Sequence, residues 1–323
     1  MAIPNSTFTE ILSTTLRKYQ PNFADNVTVR NALLTRIRDN GNMRVISNGG
    51  ATIQRQLAYA ENTTFQYYSG YETLNVSASD TLTSSNWEWK QAAVNVTISG
   101  FEKAVNGGSQ QIIDLVAART KVAMMTMANN ISVGLYSNGT GSGGKQIGGL
   151  QLILADDPTS GTVGGIDGGT YSFWQNVTFD ASTDGGTAAT STNIVSYMNS
   201  LYNSVCLNGD QPDLIIADSN YFGLYQAAVQ ATQRITNSST SSVGIGFPTL
   251  DYQGIPVILD NNVPSNHMYF INTKNLYFDV HADRNFTPGE MMRPVNQDAF
   301  VMPILFMGNL TCDNRRNHGV LKA

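Results

Sequence analysis

Residues 51 to 100 read ATIQRQLAYAENTTFQYYSGYETLNVSASDTLTSSNWEWKQAAVNVTISG, and this stretch decides the fold. At its start Ile53, Leu57 and Tyr59 alternate with polar residues, and near its end Trp87 and Trp89 open a second alternating run. Such alternation predicts two strands of a long β ribbon. An isolated two-stranded ribbon is marginally stable in water. We therefore expect the ribbon to pack on another copy of the chain, although two ordinary strands of a larger sheet give the same pattern.

The middle of the ribbon combines aromatic side chains with Ser, Thr and Asn residues. The aromatic residues are Phe65, Tyr67, Tyr68 and Tyr71. An exposed aromatic ribbon with few charges tends to aggregate unless another surface covers it. Aromatic residues are also enriched at subunit interfaces. These four side chains, together with Trp87 and Trp89, are therefore predicted intersubunit contacts.

A long helix follows the ribbon. Ser109 is a favourable N-cap, and apolar residues recur at helical spacing from Ile112 to Leu135, ahead of Asn138 and Gly139. The pattern predicts a helix over roughly 109–136, about 40 Å long. A helix of this length serves as a spine across which other elements lie.

The remaining segments predict shorter elements. An N-terminal arm contains a capping box at Thr7 to Glu10 and a second short helix over 27–39. From Gly139 onward the pattern becomes α/β, with a helix over 193–207. Further strands are predicted at 213–218, 254–259, 268–271, 276–280 and 299–310.

Composition narrows the classes of function. Only 13% of residues are charged, against about 25% in typical soluble domains. Neutral polar surface can be buried against another subunit without desolvating many ions, which favours a protein whose exterior is largely interface. A low-charge secreted β protein has a similar composition. The net charge of −5 and the lack of a basic run argue against a dedicated nucleic-acid-binding surface.

Cellular location is also constrained by the sequence. No apolar run reaches the roughly 18 residues of a membrane-spanning helix. The start at Met1 lacks the features of a signal peptide. Two cysteines, Cys206 and Cys312, do not form a disulfide framework. We expect no membrane association and folding in a reducing cytosol.

No motif predicts catalysis, a cofactor or a metal. The glycine-rich segment 139–145 nearly matches a phosphate-binding loop, but Gln146 replaces the required Ser/Thr and the segment follows a helix. Cys312 and His318 could form a thiol and base, but no third partner supports them, so buried structural roles are favoured. The three histidines lack metal-ligand spacing. We therefore predict that the chain is not an enzyme.

Four short stretches, in a fixed order, carry a resemblance to a known family. They are Gly164-Gly165-Ile166-Asp167 with Tyr171 and Trp174, Pro212-Asp213-Leu214-Ile215-Ile216-Ala217, Gly254-Ile255-Pro256-Val257, and Gly308-Asn309-Leu310-Thr311-Cys312-Asp313-Asn314-Arg315-Arg316. With the order of arm, ribbon, spine helix, α/β region and closing strands, the chain resembles the major capsid protein of tailed bacteriophages, the Hong Kong 97-type fold.

The resemblance implies an α+β fold in four parts. These are an N-terminal arm (1–50), an extended β-hairpin loop (51–100), a peripheral domain with the spine helix (101–144 and 261–323), and an α/β axial domain (145–260). It further implies a structural protein that self-assembles into hexamers and pentamers of an icosahedral shell around double-stranded phage DNA. Such a protein is a virion component that assembles in the cytoplasm of the bacterial host.

Two departures from the family refine these expectations. The arm begins almost at Met1, so we expect a separate scaffolding protein, with a portal, to take part in assembly. The ribbon's only lysine is Lys90, away from the tip, so we expect noncovalent assembly. Arg315 and Arg316 are predicted to pair with acidic groups on a neighbour or to contact DNA, and solvated or intrachain roles fit them too.

Other interpretations fit parts of the sequence. An encapsulin-like bacterial compartment shares this fold but packages enzymes. A secreted or surface β-rich structural protein fits the low charge and would require a longer precursor. A hydrolase using the glycine-rich region 139–176 is the third alternative.

Overall fold

A computed structural model describes residues 31–47, 50–105, 115–207, 209–232 and 249–323. The predicted N-terminal helix and the start of the spine helix lie outside these residues. Within them, no helix combines the length and apolar character that crossing a membrane demands.

Six helices and fifteen strands make up the described fold. The helices are α1 (Ala32–Asp39), α2 (Gly100–Val105), α3 (Leu115–Gly134), α4 (Leu150–Ile153), α5 (Ile194–Val205) and α6 (Ser219–Thr232), apart from a left-handed turn at Gly141–Gly144. The strands are β1 (Met43–Ile46), β2 (Thr52–Ala58), β3 (Leu82–Glu88), β4 (Lys90–Ser99), β5 (Thr162–Val163), β6 (Ile166–Asp167), β7 (Val177–Asp180), β8 (Leu214–Ala217), β9 (Thr249–Tyr252), β10 (Ile255–Leu259), β11 (His267–Ile271), β12 (Leu276–His281), β13 (Thr287–Pro288), β14 (Ala299–Cys312) and β15 (Gly319–Lys322). Short 3₁₀ turns lie at Ser172–Trp174, Thr273–Asn275, Ala282–Arg284 and Arg315–Asn317.

The long strand β14 organises a five-stranded sheet. Its N-terminal part pairs antiparallel with β4, from Ala299 opposite Ser99 to Gly308 opposite Lys90. Its C-terminal part pairs with β12, which in turn pairs with β1 in parallel. The spine helix α3 packs against β4 and buries Ala123, Met127 and Ile131. Strand β14, an apolar strand of 14 residues, thus pairs with the last strand of the ribbon, β4, through one part and with β12 through the other.

A six-stranded sheet forms the second layer, in the order β7-β15-β11-β8-β10-β9. Its centre, β8, is buried at all four positions, as the apolar run predicts. Helix α5 packs on the sheet with Ile194, Met198, Leu201 and Val205 buried. Two of the strands, β11 and β15, come from outside the predicted 145–260 segment, because β11 pairs with β8 and β15 lies between β7 and β11.

The ribbon differs from the prediction in its organisation. Strands β2 and β3 pair with each other, but β4 leaves them and joins β14 instead. Ile53, Leu57 and Trp87 lie in the same buried cluster as the spine helix. The expectation that the whole ribbon packs on another copy is therefore wrong for its base, because the apolar face of β2 and β3 is covered by the chain itself.

The buried side chain of Arg315, near the end of the chain, connects its own turn to the segments that contain Ile153 and Trp174. The Arg315 guanidinium donates to the carbonyl oxygens of Ile153 (2.7 Å) and Trp174 (3.0 Å) and to Oδ1 of Asn176 (2.9 Å). Burial lowers its pKa to about 10, which leaves it protonated at neutral pH. Each of the three guanidinium nitrogens has an acceptor. Because a buried charge is tolerated when it is hydrogen-bonded, this side chain acts as a structural cross-brace.

An ion pair lies where β11, an inner strand of the six-stranded sheet, begins. The His267 ring faces two acceptors: Nε2 lies 3.1 Å from Oδ1 of Asp156, and Nδ1 lies 2.8 Å from the carbonyl oxygen of Ser265. Burial lowers the pKa of His267, but the two hydrogen bonds together with the negative charges of Asp156 and Asp218 outweigh it, so the pKa is raised. The hydrogen bond from His267 lowers the pKa of Asp156. Two acceptors can both be satisfied only by the doubly protonated ring.

Replacing Arg315 tests the cross-brace. We expect Arg315→Ala to lower the free energy of unfolding by about 3 kcal/mol or more, because three buried acceptors lose their donor. Arg316→Ala is the matched control, since Arg316 is half-exposed and makes one hydrogen bond to the Ser204 carbonyl oxygen. We expect it to cost less than about 1 kcal/mol. Urea unfolding of the unassembled subunit measures both, and equal losses would contradict the cross-brace role.

The His267–Asp156 pair predicts a pH dependence. Because the pKa of His267 is higher in the folded protein, its contribution to the free energy of unfolding is fully present below the unfolded-state pKa of about 6.5. This contribution is lost as the pH rises through the folded-state pKa. Because the pKa of Asp156 is lower in the folded protein, its contribution to the free energy of unfolding is lost as the pH falls through that folded-state pKa. Asp156→Asn should lower stability by up to about 1 kcal/mol near pH 6, and the difference from the unmodified protein should shrink at alkaline pH. Asp157→Asn, which leaves His267 unchanged, should show no such alkaline convergence in thermal melts.

Candidate assembly surface

The segment between β2 and β3, residues 59–81, is the ribbon tip, and it contains no strand. Side chains hold its turns instead. Oδ1 of Asn62 accepts hydrogen bonds from the amide (2.9 Å) and the hydroxyl (2.7 Å) of Thr64. Asn75 and Ser77 repeat this arrangement. Asn and Asp favour turns because their side chains bond the backbone two residues on, which explains why the Asn- and Ser-rich middle of the ribbon forms a shaped tip.

The tip presents aromatic rings to solvent. Tyr68 is 65% exposed, Phe65 is 76%, Tyr67 is 91% and Tyr71 is fully exposed. The rings of Phe65 and Tyr67 meet edge to face with centroids 5.3 Å apart. Exposed aromatic side chains grouped on one segment in this way indicate a surface that another molecule covers.

The charge of the tip is of one sign. Every charged residue between Arg55 and Lys90 is acidic. They are Glu61, Glu72, Asp80 and Glu88. The tip is therefore suited to a partner surface that carries cations beside apolar side chains.

The root of the ribbon is fixed by a buried ion pair that the sequence patterns did not reveal. Nη2 of Arg55 lies 2.6 Å from Oδ1 of Asp279, and Nε donates to the hydroxyl of Thr311 at 3.2 Å. That hydroxyl donates to Oδ2 of Asp279 at 2.6 Å. Arg55 lies in the register of Ile53 and so points to the core. The sequence did contain a signal for this ion pair, because Arg55 occupies a position where the alternation of the strand calls for an apolar residue.

A tyrosine extends this network toward the surface. The Tyr277 ring lies between two guanidinium groups, with Cζ of Arg55 4.2 Å and Cζ of Arg44 4.4 Å from its centroid. Its hydroxyl donates to Oδ2 of Asp313 at 3.0 Å. Burial raises the pKa of Asp313. The network thus links β1, β2, β12 and the turn after β14.

The other predicted contact residues lie away from the tip. Trp87 is buried, with its indole N–H donating to Oγ of Ser85 at 3.0 Å. Trp89 is half-buried and donates to the Gly50 carbonyl oxygen. Trp87 and Arg315 were predicted as contact residues, but both side chains are buried within the chain itself, 3% and 1% exposed. Arg316 is half-exposed at the surface, where its hydrogen bond to Ser204 is within the chain.

Cys312 and His318 lie together but are shut off from solvent. Sγ of Cys312 is 3.5 Å from Nε2 of His318, and Nδ1 of His318 accepts from the Asn272 amide at 3.2 Å. Burial lowers the pKa of His318 to about 3 and raises that of the Cys312 thiol. Both groups are therefore neutral and structural. Among the described residues, no three His, Cys, Asp or Glu side chains are grouped as metal ligands.

Solved structures share this arrangement of elements. A chain of the cyanophage A-1(L) capsid asymmetric unit matches with a TM-score of 0.63 and 16% identity, over 99% of both chains. The capsid protein of Myoviridae phage XM1 gives 0.56 and 12%, over 94% of this chain and 98% of that one. The SrpI encapsulin of Synechococcus elongatus PCC 7942 gives 0.54 and 9%, over 96% and 94%. These likenesses confirm the Hong Kong 97-type fold.

The sequence itself carries the family assignment. No curated protein sequence matches the chain significantly. The sequence profile described as SU10 major capsid protein, however, matches residues 76–323. This match begins in the ribbon tip and runs through both sheets to the last residue, which is well over half of the chain. The chain therefore belongs to the SU10 major capsid protein family.

Proposed function

We propose that this capsid protein is the shell subunit of a tailed bacteriophage and that its ribbon tip joins neighbouring subunits. Hexamers and pentamers of the chain form an icosahedral shell in this proposal. The observation that carries it is the ribbon tip, a shaped segment in which the side chains of Phe65, Tyr67, Tyr68 and Tyr71 are exposed in the described chain. A structural subunit, rather than an enzyme, is what the family assignment supports.

Four tip residues and two others form the proposed contact set. They are Phe65, Tyr67, Tyr68, Tyr71, Trp89 and Arg316. A specific protein interface buries about 1,200–2,000 Å² in total, and aromatic side chains supply much of the binding energy within it. Symmetry repeats each contact around the shell, so modest contacts suffice.

Noncovalent assembly is part of the proposal, because Lys90 donates to Glu88 and to the Gly144 carbonyl oxygen and lies far along the chain from the tip.

The two sheets correspond to the two proposed domains. The five-stranded sheet with α3 is the peripheral domain, proposed over 101–144 and 261–323, and it also takes in β1 from the arm and β4 from the extended loop. The six-stranded sheet with α5 and α6 is the axial domain, proposed over 145–260 and enlarged by β11 and β15 because they pair within it. The arm, proposed over 1–50, includes α1, and the extended loop, proposed over 51–100, includes the ribbon tip.

The remaining partners follow from the shell role. We propose a separate scaffolding protein and a portal during assembly in the host cytoplasm, with the finished shell in the virion. Packaged double-stranded DNA is held without sequence preference, since the chain has a net charge of −5 and no basic run. Proteins that bind DNA tightly neutralise many phosphates with Lys and Arg, and this composition favours confinement over tight binding.

An encapsulin-like compartment is the second candidate. The SrpI encapsulin matches over 96% of this chain, with a TM-score close to that of the phage XM1 capsid protein. The two candidates differ in content, because a phage shell encloses DNA and an encapsulin encloses enzymes. Nuclease-protected DNA in shells from infected cells would favour the phage capsid, and a protein cargo would favour the compartment.

Electron microscopy of the expressed protein, alone and with a candidate scaffolding protein encoded beside it, tests assembly. We expect closed icosahedral shells, or free rings of five and six subunits, in at least one of the two conditions. Because a shell subunit must bind its own copies, a monodisperse monomer in both conditions would contradict the proposal.

A tip variant tests which surface drives this assembly. Replacing Tyr67, Tyr68 and Tyr71 together with Ser should leave the subunit folded, since exposed substitutions change stability by only about 0.5 kcal/mol. We expect the concentration needed for shells to rise about tenfold or more, because losing about 1.4 kcal/mol of contact energy costs a factor of ten. Val45→Ser, an exposed apolar substitution on β1, is the control. Normal assembly of the triple variant, measured by sucrose-gradient sedimentation, would exclude the tip.

A further inference from the structure

The glycine-rich stretch Gly164–Asp167 forms the end of a tight hairpin. Strands β5 and β6 pair with Val163 opposite Ile166, so the two-residue turn Gly164-Gly165 joins them. The φ angles of these glycines are +59° and +78°, and positive values at both central residues are what a type I′ turn requires. Because Asn is also favoured at the first central position of such turns, the turn alone does not explain the glycine at 164.

Strand β3 of the ribbon contacts this turn directly. The Asn86 amide donates to the Gly164 carbonyl oxygen at 2.7 Å. A Cβ at residue 164 would lie 3.1 Å from Cβ of Ser85 and 3.1 Å from Cε2 of Trp87, closer than the roughly 3.5–4.0 Å at which carbon atoms pack. A Cβ at residue 165 would instead lie 3.8 Å from Cβ of Asn86. The glycine at 164 therefore allows the ribbon to approach the turn this closely.

The segment that carries the hairpin is anchored to the six-stranded sheet. After the hairpin, the indole N–H of Trp174 donates to the Val163 carbonyl oxygen at 2.8 Å, and Arg315 binds the carbonyl oxygen of Trp174. The chain then enters β7, an edge strand of this sheet. Before the hairpin, the ion pair of Asp156 with His267 joins the segment to the start of β11. The hairpin is therefore held to one sheet on both sides and touches the ribbon with its turn.

A second contact reaches the other strand of the ribbon. The rings of Phe173 and Tyr59, the residue after β2, have centroids 5.4 Å apart. Val163 and Ile166 of the hairpin are buried in the same apolar cluster as Leu57 of β2. Both strands of the ribbon root thus contact the segment that carries the hairpin.

We infer that the β5–β6 hairpin sets the direction of the ribbon and that Gly164 is the positioning residue for this contact. The inference rests on the proposed shell function, because the direction of the ribbon decides where its tip meets another subunit. The ion pair of Arg55 with Asp279 holds β2 against the five-stranded sheet, and the hairpin holds β3 against the six-stranded sheet. Contacts on both strands oppose rotation of the ribbon. A ribbon of fixed direction loses less freedom on binding and therefore binds more tightly.

Two substitutions weaken the contact by different means. Gly164→Asn keeps a residue that type I′ turns favour at this position but adds a Cβ against Ser85 and Trp87. Asn86→Pro removes the amide donor, and because that N–H points to the hairpin and not to β2, the pairing within the ribbon remains. Gly165→Asn is the matched control, since it adds a side chain to the same turn with only an ordinary contact.

Distances between two spin labels report the direction of the ribbon in the unassembled subunit. The labels are attached at Leu82→Cys, 71% exposed at the outer end of β3, and at Ser200→Cys on the exposed face of α5. Both changes are made in a Cys206→Ser background, and Cys312 stays because it is buried. We expect one narrow distance distribution for the labelled parent and the control. In the two contact variants the distribution should shift by several ångströms or broaden several-fold.

The same substitutions in the unlabelled protein connect the direction of the ribbon to assembly. The concentration at which shells form should rise several-fold for both contact variants and stay unchanged for the control. Unchanged distance distributions in both variants would overturn the inference while leaving the shell function intact. A displaced ribbon with normal assembly would overturn the role of Gly164 in assembly. If the unmodified protein forms no shell, the proposed function fails, and the distances still decide whether the hairpin directs the ribbon.

Discussion

The buried ion pair between Arg55 and Asp279 fixes where the ribbon leaves the body of the chain. Asp279 lies on β12, between β1 and β14, and its carboxylate is fully buried. Removing one partner of such a pair leaves an uncompensated buried charge, which costs about 3–5 kcal/mol. Since β3 is the one strand that pairs with β2 among the described residues, this ion pair and the apolar side chains beside it determine how the ribbon is oriented against the sheet.

This constraint divides the ribbon into two parts with different roles. The root is part of the chain's own core, through Ile53, Leu57 and Trp87. Four rings of the tip are exposed in the described part of the chain, and Asn–Ser and Asn–Thr turns shape the tip instead of strand pairing. A fixed root reduces the freedom that the tip loses on binding, and preorganisation of this kind increases affinity without adding contacts. The sequence of the tip can therefore consist of polar turn residues and exposed rings.

Local patterns predicted the elements but not their long-range pairing. The alternation around Trp87 and Val94 was correct for β3 and β4, but the change of sheet at Trp89 is not visible in a period of two. The run at 213–218 predicted a buried strand, and Leu214–Ala217 form a buried strand at the centre of a sheet. That β11 and β15 complete this sheet depends on contacts between residues distant in sequence, which periodicity does not encode.

The sequence also did not reveal which charged residues are buried. Arg315 was interpreted as a surface group because it is one of two adjacent arginines in a polar turn, and its buried acceptors come from segments some 140 to 160 residues away. The exposed rings of the tip were predicted from composition alone, because many aromatics without an apolar face indicate an uncovered surface. The contact between α2 and the loop before β14 was not predicted either, since the hydrogen bond from the Gly100 amide to the Asp298 carbonyl oxygen joins residues distant in sequence.

Amide hydrogen exchange, compared between unassembled subunits and closed shells, tests the central claim most directly. If the root belongs to the chain and the tip belongs to the assembly, peptides covering 52–58 and 82–88 will be protected in both states. Peptides covering 59–81 will then be protected only in shells. Equal exchange of the tip in both states, or a root that gains protection only on assembly, would contradict this account.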